Sequence, residues 1–144
     1  MIIEEMTLTD FERIKENLQI DFDDFWNPSI LKSELESKNS KYIIAKENDE
    51  ILGFAGIIIT PMDVEITNIV TKKSQRKKGI GKLLLGKLIE MAKQTNLETI
   101  SLEVNEKNCI AINLYEKYDF KKIGVRKKYY NGVDNAIIMT KVLK

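Results

Sequence analysis

The stretch Arg76-Lys77-Lys78-Gly79-Ile80-Gly81-Lys82 holds the residue types best suited to grip an anion. An apolar run, Ile66-Thr67-Asn68-Ile69-Val70, leads into it, and a helical pattern follows from near Gly79 to about Gln94. Strand, glycine loop, helix is a layout that aims unpaired backbone N–H groups and the positive end of a helix dipole at one place. Gly79 and Gly81 let the main chain approach a ligand with no Cβ in the way. With a guanidinium and several ammonium groups in the same loop, the anion it suits is a phosphate. The spacing fits neither G-x-x-x-x-G-K-[ST] nor G-x-G-x-x-G, so a Walker loop and a dinucleotide fingerprint are excluded. A basic loop closed by a helix N-terminus is the plain alternative.

Proton chemistry is constrained as sharply. The chain has no histidine, so proton transfer near neutral pH must use Glu, Asp, Lys, Tyr, Cys or water. Serine triads and histidine metal sites are thereby excluded. The single cysteine, Cys109, allows neither an internal disulfide nor a cysteine metal cage, and no metal is expected. Asn108 looks like a helix N-cap, a place where a thiol can be activated, but a small buried apolar residue is the simpler reading of Cys109.

These residues need elements to position them. Ile2 to Met6 reads as a first strand, and Thr9-Asp10-Phe11-Glu12 has the form of a capping box opening a helix to about Leu18. Asp21 to Pro28 is an acidic and aromatic loop, followed by a helix over Ser29 to Ser37. Tyr42 to Glu47 and Ile51 to Thr60 form two strands joined at Asn48-Asp49-Glu50. A turn at Pro61-Met62-Asp63 leads to a strand over Val64 to Val70. In the helix after the basic loop, Ile80, Leu83, Leu84, Leu88, Ile89 and Met91 are spaced to face the sheet. Asn96-Leu97 ends it. In the strand Thr99 to Val104, Ile100, Leu102 and Val104 share one side while Ser101 and Glu103 take the other. A short helix over Cys109 to Tyr118 precedes a final hairpin, Lys121 to Lys128 and Ala136 to Leu143, turning across Tyr129-Tyr130-Asn131-Gly132. This order implies an α/β fold with a mixed sheet and helices on both faces.

At 144 residues, 43% hydrophobic and 31% charged, the chain reads as one domain spanning 1–144. No apolar run could span a bilayer, and Met1-Ile2-Ile3-Glu4-Glu5 lacks a signal-peptide pattern, so a cytoplasmic protein with no membrane partner is expected. Residues 1–68 carry 6 basic against 15 acidic side chains, and residues 69–144 carry 17 against 7. The basic part, which holds the glycine loop, suits a polyanionic ligand; the acidic part suits an amine or a basic peptide. Solvated faces explain many such skews.

The R-x-x-G-x-G pattern at Arg76 to Gly81 resembles the pyrophosphate loop of the GNAT N-acetyltransferases, which use acetyl-CoA. From Ile69 to Met139 the chain resembles the RimI type of that family, whose members act on the N-terminal alanine of a ribosomal protein. The matching pieces are N-I-V at Asn68 to Val70, L-E-V at Leu102 to Val104, Asn108, and A-I-x-L-Y at Ala111 to Tyr115. R-x-x-Y-Y at Arg126 to Tyr130 and A-I-I-M at Ala136 to Met139 complete the set, with Trp26 and Pro28 a looser match. The resemblance implies a mixed, mostly antiparallel sheet of about seven strands, acetyl-CoA as cosubstrate, and a protein N-terminus as acceptor, with no direct nucleic-acid partner.

Residue by residue, the resemblance assigns the general base to Glu103 and the general acid to Tyr115. Ile69, Val70 and Thr71 would bond the pantetheine amides as an added strand does. Lys77, Lys78, Gly79, Ile80, Gly81 and Lys82 would hold the pyrophosphate mainly by backbone N–H, with Arg76 helping, and Asn108 would reach the pantetheine arm. Alternation alone allows Glu103 to be a salt-bridged surface residue, and Tyr115 could simply cap the core. Tyr129 and Tyr130 could line an acceptor groove or staple a hairpin. The chain departs from the family pattern at Thr71-Lys72-Lys73, Asn105, Asp119 and Asn135, which bears on the acceptor rather than on the catalytic groups. A small amine such as a polyamine as acceptor, and a CoA-binding module without catalysis, stay open. An RNA-binding domain using Lys72, Lys73 and Arg76 to Lys78 lacks the aromatic platform of an RNP motif.

Overall fold

A computed structural model describes residues 1–22, 27–130 and 132–144. Trp26 and Asn131, both singled out from the sequence, lie outside the described residues. Seven strands form a sheet in the order β1-β2-β3-β4-β5-β7-β6. They are β1 (Ile2–Glu5), β2 (Ser40–Glu47), β3 (Glu50–Ile59), β4 (Val64–Thr71), β5 (Thr99–Asn105), β6 (Lys121–Tyr130) and β7 (Asp134–Val142). The α-helices are α1 (Leu8–Ile14), α2 (Pro28–Glu36), α3 (Ile80–Lys93) and α4 (Cys109–Lys117). The sheet is mixed: β4 and β5 run parallel, whereas β1–β2, β2–β3, β5–β7 and β6–β7 are antiparallel. The chain divides into two compact units, Met1–Ile59 with Thr67–Leu88, and Thr60–Ile66 with Ile89–Lys144.

In the first unit, α1 begins two residues earlier than its sequence suggests. Thr7, not Thr9, is the N-cap: its N–H donates to Asp10 Oδ2 at 2.8 Å while Asp10 N–H donates to Thr7 Oγ1 at 3.2 Å. The shorter Asp closes the same reciprocal box that Glu12 was expected to close, and Glu12 instead pairs with Lys15. The helix gives way to a 3-10 turn at Lys15–Asn17 and a π-helical turn at Leu18–Phe22, which brings Phe22 against Phe54 with ring centroids 5.6 Å apart. Around this pair pack Met6, Phe11, Leu18, Leu31, Ile44 and Val70. Asn27 caps α2, with Pro28 in its first turn, where the missing N–H costs nothing. The β2–β3 hairpin turns on Asn48 and Asp49 alone, both at positive φ (52° and 68°), and Glu50 joins the strand. Leu83, expected to face the sheet, is half exposed, and Leu85 is fully buried in its place.

In the second unit, the alternation read for β5 holds: Ile100, Leu102 and Val104 are buried and Ser101 and Glu103 are not. Asn108 caps α4, its Oδ1 accepting from Ala111 N–H at 3.2 Å. The helix ends in a Schellman motif, with Phe120 N–H donating to Tyr115 C=O and Asp119 N–H to Glu116 C=O, both at 3.1 Å. Asp119 takes the left-handed conformation (φ 69°) such an ending needs. The last hairpin is longer than expected. Tyr129 and Tyr130 belong to β6, with Tyr130 opposite Asp134, because a register shift between Arg126 and Tyr130 carries the pairing further toward the tip.

Candidate functional site

The glycine loop lies in the first unit. Lys77 (φ 66°) and Gly79 (φ 84°) both sit in the left-handed region, a backbone form that gathers successive N–H groups into an anion-binding concavity. A Cβ built on Gly79 would meet nothing within 4 Å, and one on Gly81 only Thr71 Oγ1 at 3.8 Å, so the space over the first turn of α3 is open. Leu83 N–H reaches back to Gly79 C=O at 3.1 Å, which leaves the amides of Ile80, Gly81 and Lys82 ahead of the first intrahelical bond. Lys77, Lys78 and Lys82 are exposed beside them. Arg76 has a different use: its Nη2 donates to Phe22 C=O at 2.9 Å, tying the loop to the π-helical turn. Lys72 is paired with Glu50 at 3.1 Å.

Ile69, Val70 and Thr71 form the end of β4 that leads into this loop. The β4–β5 ladder consists of Val64 opposite Ile100 and Glu65 opposite Ser101 among the described residues, so these three residues lie beyond it. Among the described residues no pairing with β5 competes with a strand-like ligand arm on that side of β4, while β3 is its neighbour on the other side. A polar knot at Tyr42, Thr67 and Asn68 carries no signal in the local sequence pattern. Tyr42 Oη accepts from Asn68 Nδ2 at 2.7 Å and lies 3.1 Å from Thr67 Oγ1. Burial pushes the Tyr42 phenol far up and also raises Glu34, to which Tyr42 is hydrogen-bonded.

Glu103 and Tyr115, singled out from the sequence for proton transfer, both lie in the second unit. Glu103 projects from the polar side of β5, where Arg126 Nη2 meets its Oε1 at 2.9 Å. Arg126 also lies 4.8 Å from the centroid of the Tyr129 ring, and Tyr129 packs edge-on against Tyr130 at 5.1 Å. Partial burial, then the neighbouring charge of Glu103, then Tyr129 raise the Tyr130 phenol. Tyr115 sits on the last turn of α4 against Phe120, ring centroids 5.8 Å apart. Burial above all, with Tyr130 beside it, pushes its phenol up to about 12. Tyr130 is thus near enough to Glu103 to be raised by its charge and near enough to Tyr115 to help raise it.

Two of the departures from the family pattern fasten the segment after β5. Asn105 Nδ2 donates to Asp134 Oδ2 at 3.1 Å, and Lys107 pairs with Asp134 at 2.8 Å. Asn135 N–H donates to Glu106 Oε2 at 2.7 Å. Cys109, expected to be buried, is exposed: it opens α4 on the face turned away from the core. Glu65 was overlooked. Its pKa is raised by partial burial and by Asp63 and Glu103, with Arg126 opposing.

The Acetyltransferase (GNAT) family matches residues 11–120. A Haemophilus influenzae protein named ribosomal protein bS18-alanine N-acetyltransferase is 37% identical over 145 residues, covering 96% of this chain and 96% of that one. The crystal structure of the ribosomal-protein-S18-alanine N-acetyltransferase from Escherichia coli has the same fold, with a TM-score of 0.90 and 24% identity over 99% of this chain and 94% of that one. An aminoglycoside 6'-N-acetyltransferase complexed with coenzyme A also shares it, with a TM-score of 0.83 and 20% identity over 100% and 98% of the two chains. A family match across most of the chain and a relative this similar along nearly its whole length agree: the chain belongs to the GNAT family and is an N-acetyltransferase.

Proposed function

We propose that the chain transfers acetyl from acetyl-CoA to the N-terminal amine, that of alanine, of a ribosomal protein in the cytoplasm. The observation that carries this is the 37% identity, over 96% of both chains, to a relative named for that activity. The open, glycine-lined start of α3 fits a diphosphate, since its free amides and flanking lysines need an anion and no side chain obstructs them. Acetyl-CoA supplies the activated thioester. Lys77 to Lys82 hold its diphosphate, mainly through the amides of Gly79 to Lys82. Ile69, Val70 and Thr71 bond the pantetheine amides, one of their N–H groups polarising the acetyl carbonyl, and Asn108 bonds the same arm.

Glu103 takes a proton from the acceptor's ammonium, directly or through one water. An α-amine near ~7.7–8.0 asks little of its base. The neutral nitrogen then attacks the carbonyl, and the C–S bond breaks as the new C–N bond forms. The nitrogen's second proton leaves to water, which also returns a proton to Tyr115 and takes the one held by Glu103. Arg126 holds the Glu103 carboxylate in one orientation. Tyr115 keeps its proton across the neutral range and offers it to the departing sulfur.

Incubation with acetyl-CoA and either an Ala-starting peptide or a polyamine tests the reading, with mass spectrometry locating the acetyl group. Acetyl on the peptide's α-nitrogen is expected. Turnover of the polyamine alone contradicts it.

A further inference from the structure

The polar knot at Tyr42 has no part in the chemistry above. Tyr42 stands opposite Gly56 in the β2–β3 ladder, and a Cβ built on Gly56 would lie 2.4 Å from Tyr42 Cζ. The hydroxyl end of the ring therefore crosses β3 through the gap that glycine leaves, and it arrives at β4. There Tyr42 Oη accepts from Asn68 Nδ2 at 2.7 Å and lies 3.1 Å from Thr67 Oγ1. Filling the core does not explain this oxygen, since a phenylalanine ring would occupy the same buried space. Asn68 Oδ1 is buried with no hydrogen-bond partner among the described residues. A buried oxygen left unpaired costs stability, so the amide is held in place by Tyr42 rather than by its own surroundings. Glu34 of α2 bonds the same hydroxyl. The phenol can accept from Asn68 and give its one proton to the Glu34 carboxylate, and so ties α2 to β4. Ile69, Val70 and Thr71 follow directly. Just past them, Lys72 N–H donates to Leu52 C=O of β3 at 2.8 Å. These three residues thus run between two fastenings, the Tyr42 hydroxyl before them and the β3 backbone after them.

We infer that Tyr42 is a positioning residue: acting through Asn68, its hydroxyl sets where Ile69, Val70 and Thr71 present their amides to the pantetheine arm, and so where the thioester lies. This rests on the reading of those three residues as the pantetheine-binding strand. The diphosphate end, held at the start of α3, does not depend on it.

The test combines acetyl transfer to an Ala-starting peptide with calorimetric binding of acetyl-CoA and of 3'-phospho-ADP, which carries the diphosphate of coenzyme A without its pantetheine. It compares the unaltered protein, Tyr42→Phe, Asn68→Ala and the double variant. Tyr42→Phe keeps the ring over Gly56 and removes only the oxygen. It is expected to lower kcat about tenfold and to weaken acetyl-CoA about threefold or more, with 3'-phospho-ADP affinity unchanged. The double variant should lose less than the product of the two single losses. Should Tyr42→Phe fail to fold, Asn68→Ala is expected to show the same split between the two ligands. Unchanged kcat and acetyl-CoA affinity overturn this inference and leave the strand reading standing. An equal loss for 3'-phospho-ADP also overturns it, since that marks a general loosening of the unit. Single losses that simply multiply in the double variant overturn it as well. Acetyl-CoA binding no tighter than 3'-phospho-ADP in the unaltered protein removes the strand reading and this inference together.

Discussion

Tyr115 is built to keep its proton. Burial raises its phenol to about 12, well above an ordinary thiol near ~8.5, so in the proposed reaction it would serve the leaving sulfur first as a hydrogen-bond donor and only then by transfer. The same shift links stability to pH. An unfolded tyrosine loses its proton near ~10 and the folded one near about 12, so between those values the unfolded chain binds fewer protons. Stability from this residue is therefore complete below pH ~10 and is lost as pH climbs, at up to about 1.4 kcal/mol per pH unit. Urea unfolding between pH 9 and 11 should show a shallower decline for Tyr115→Phe than for the unaltered protein; identical slopes would contradict the burial. Arg126 is tested by Arg126→Ala, which frees Glu103 to reorient and should lower kcat about tenfold at unchanged acetyl-CoA affinity. The side of β5 on which Glu103 stands was legible because a period of two separates polar from apolar residues along the strand. Its role as a base came only from the family resemblance. The neighbourhood of Glu65 was not legible, since its pairing opposite Ser101 joins strands far apart in sequence, which no local pattern carries.

At the scale of elements, helix ends do the positioning. The Schellman ending of α4 sets Tyr115 as the residue whose carbonyl Phe120 caps and whose ring Phe120 packs against. Asp119 holds that ending in a left-handed conformation with an acidic side chain at the negative end of a helix. Asp119→Gly removes both costs and should raise stability by about 0.5–1 kcal/mol, read as a higher Tm at unchanged kcat. A lower Tm would mean the carboxylate has a partner that matters more. The start of α3 depends on Gly53 in β3: an added Cβ would lie 2.8 Å from Val70 C=O and 3.2 Å from Ile80 Cγ2. Gly53→Ala should cost about 1–3 kcal/mol and weaken coenzyme A binding by moving the first turn of the helix. Both endings were partly visible beforehand: Asp119 was read as a tolerated left-handed residue, and Asn108 as a cap. The α1 cap was misplaced because Thr7-x-x-Asp10 and Thr9-x-x-Glu12 overlap, and only the burial of Asp10 decides between them.

For the whole molecule, the succession of strands and helices followed from period and turn chemistry, and the mostly antiparallel sheet from the family resemblance. The spatial order of the strands and the reach of the last hairpin followed from neither. A register shift after Arg126 is invisible to alternation, and it moves Tyr129 and Tyr130 from a turn into a strand beside Glu103. The charge division also has a measurable consequence. Exposed lysines beside a diphosphate act over about a Debye length, so acetyl-CoA affinity should fall roughly threefold or more between 0.05 and 0.5 M salt. A salt-independent affinity would place the diphosphate away from Lys77, Lys78 and Lys82. The central claim joins a held thioester to a carboxylate base and a phenol donor. Steady-state acetyl transfer to an Ala-starting peptide by the unaltered protein, Glu103→Gln and Tyr115→Phe, with acetyl-CoA affinity measured alongside, tests it most directly. Both variants should bind acetyl-CoA normally and lose about 100-fold or more in kcat; near-native turnover in both would contradict it.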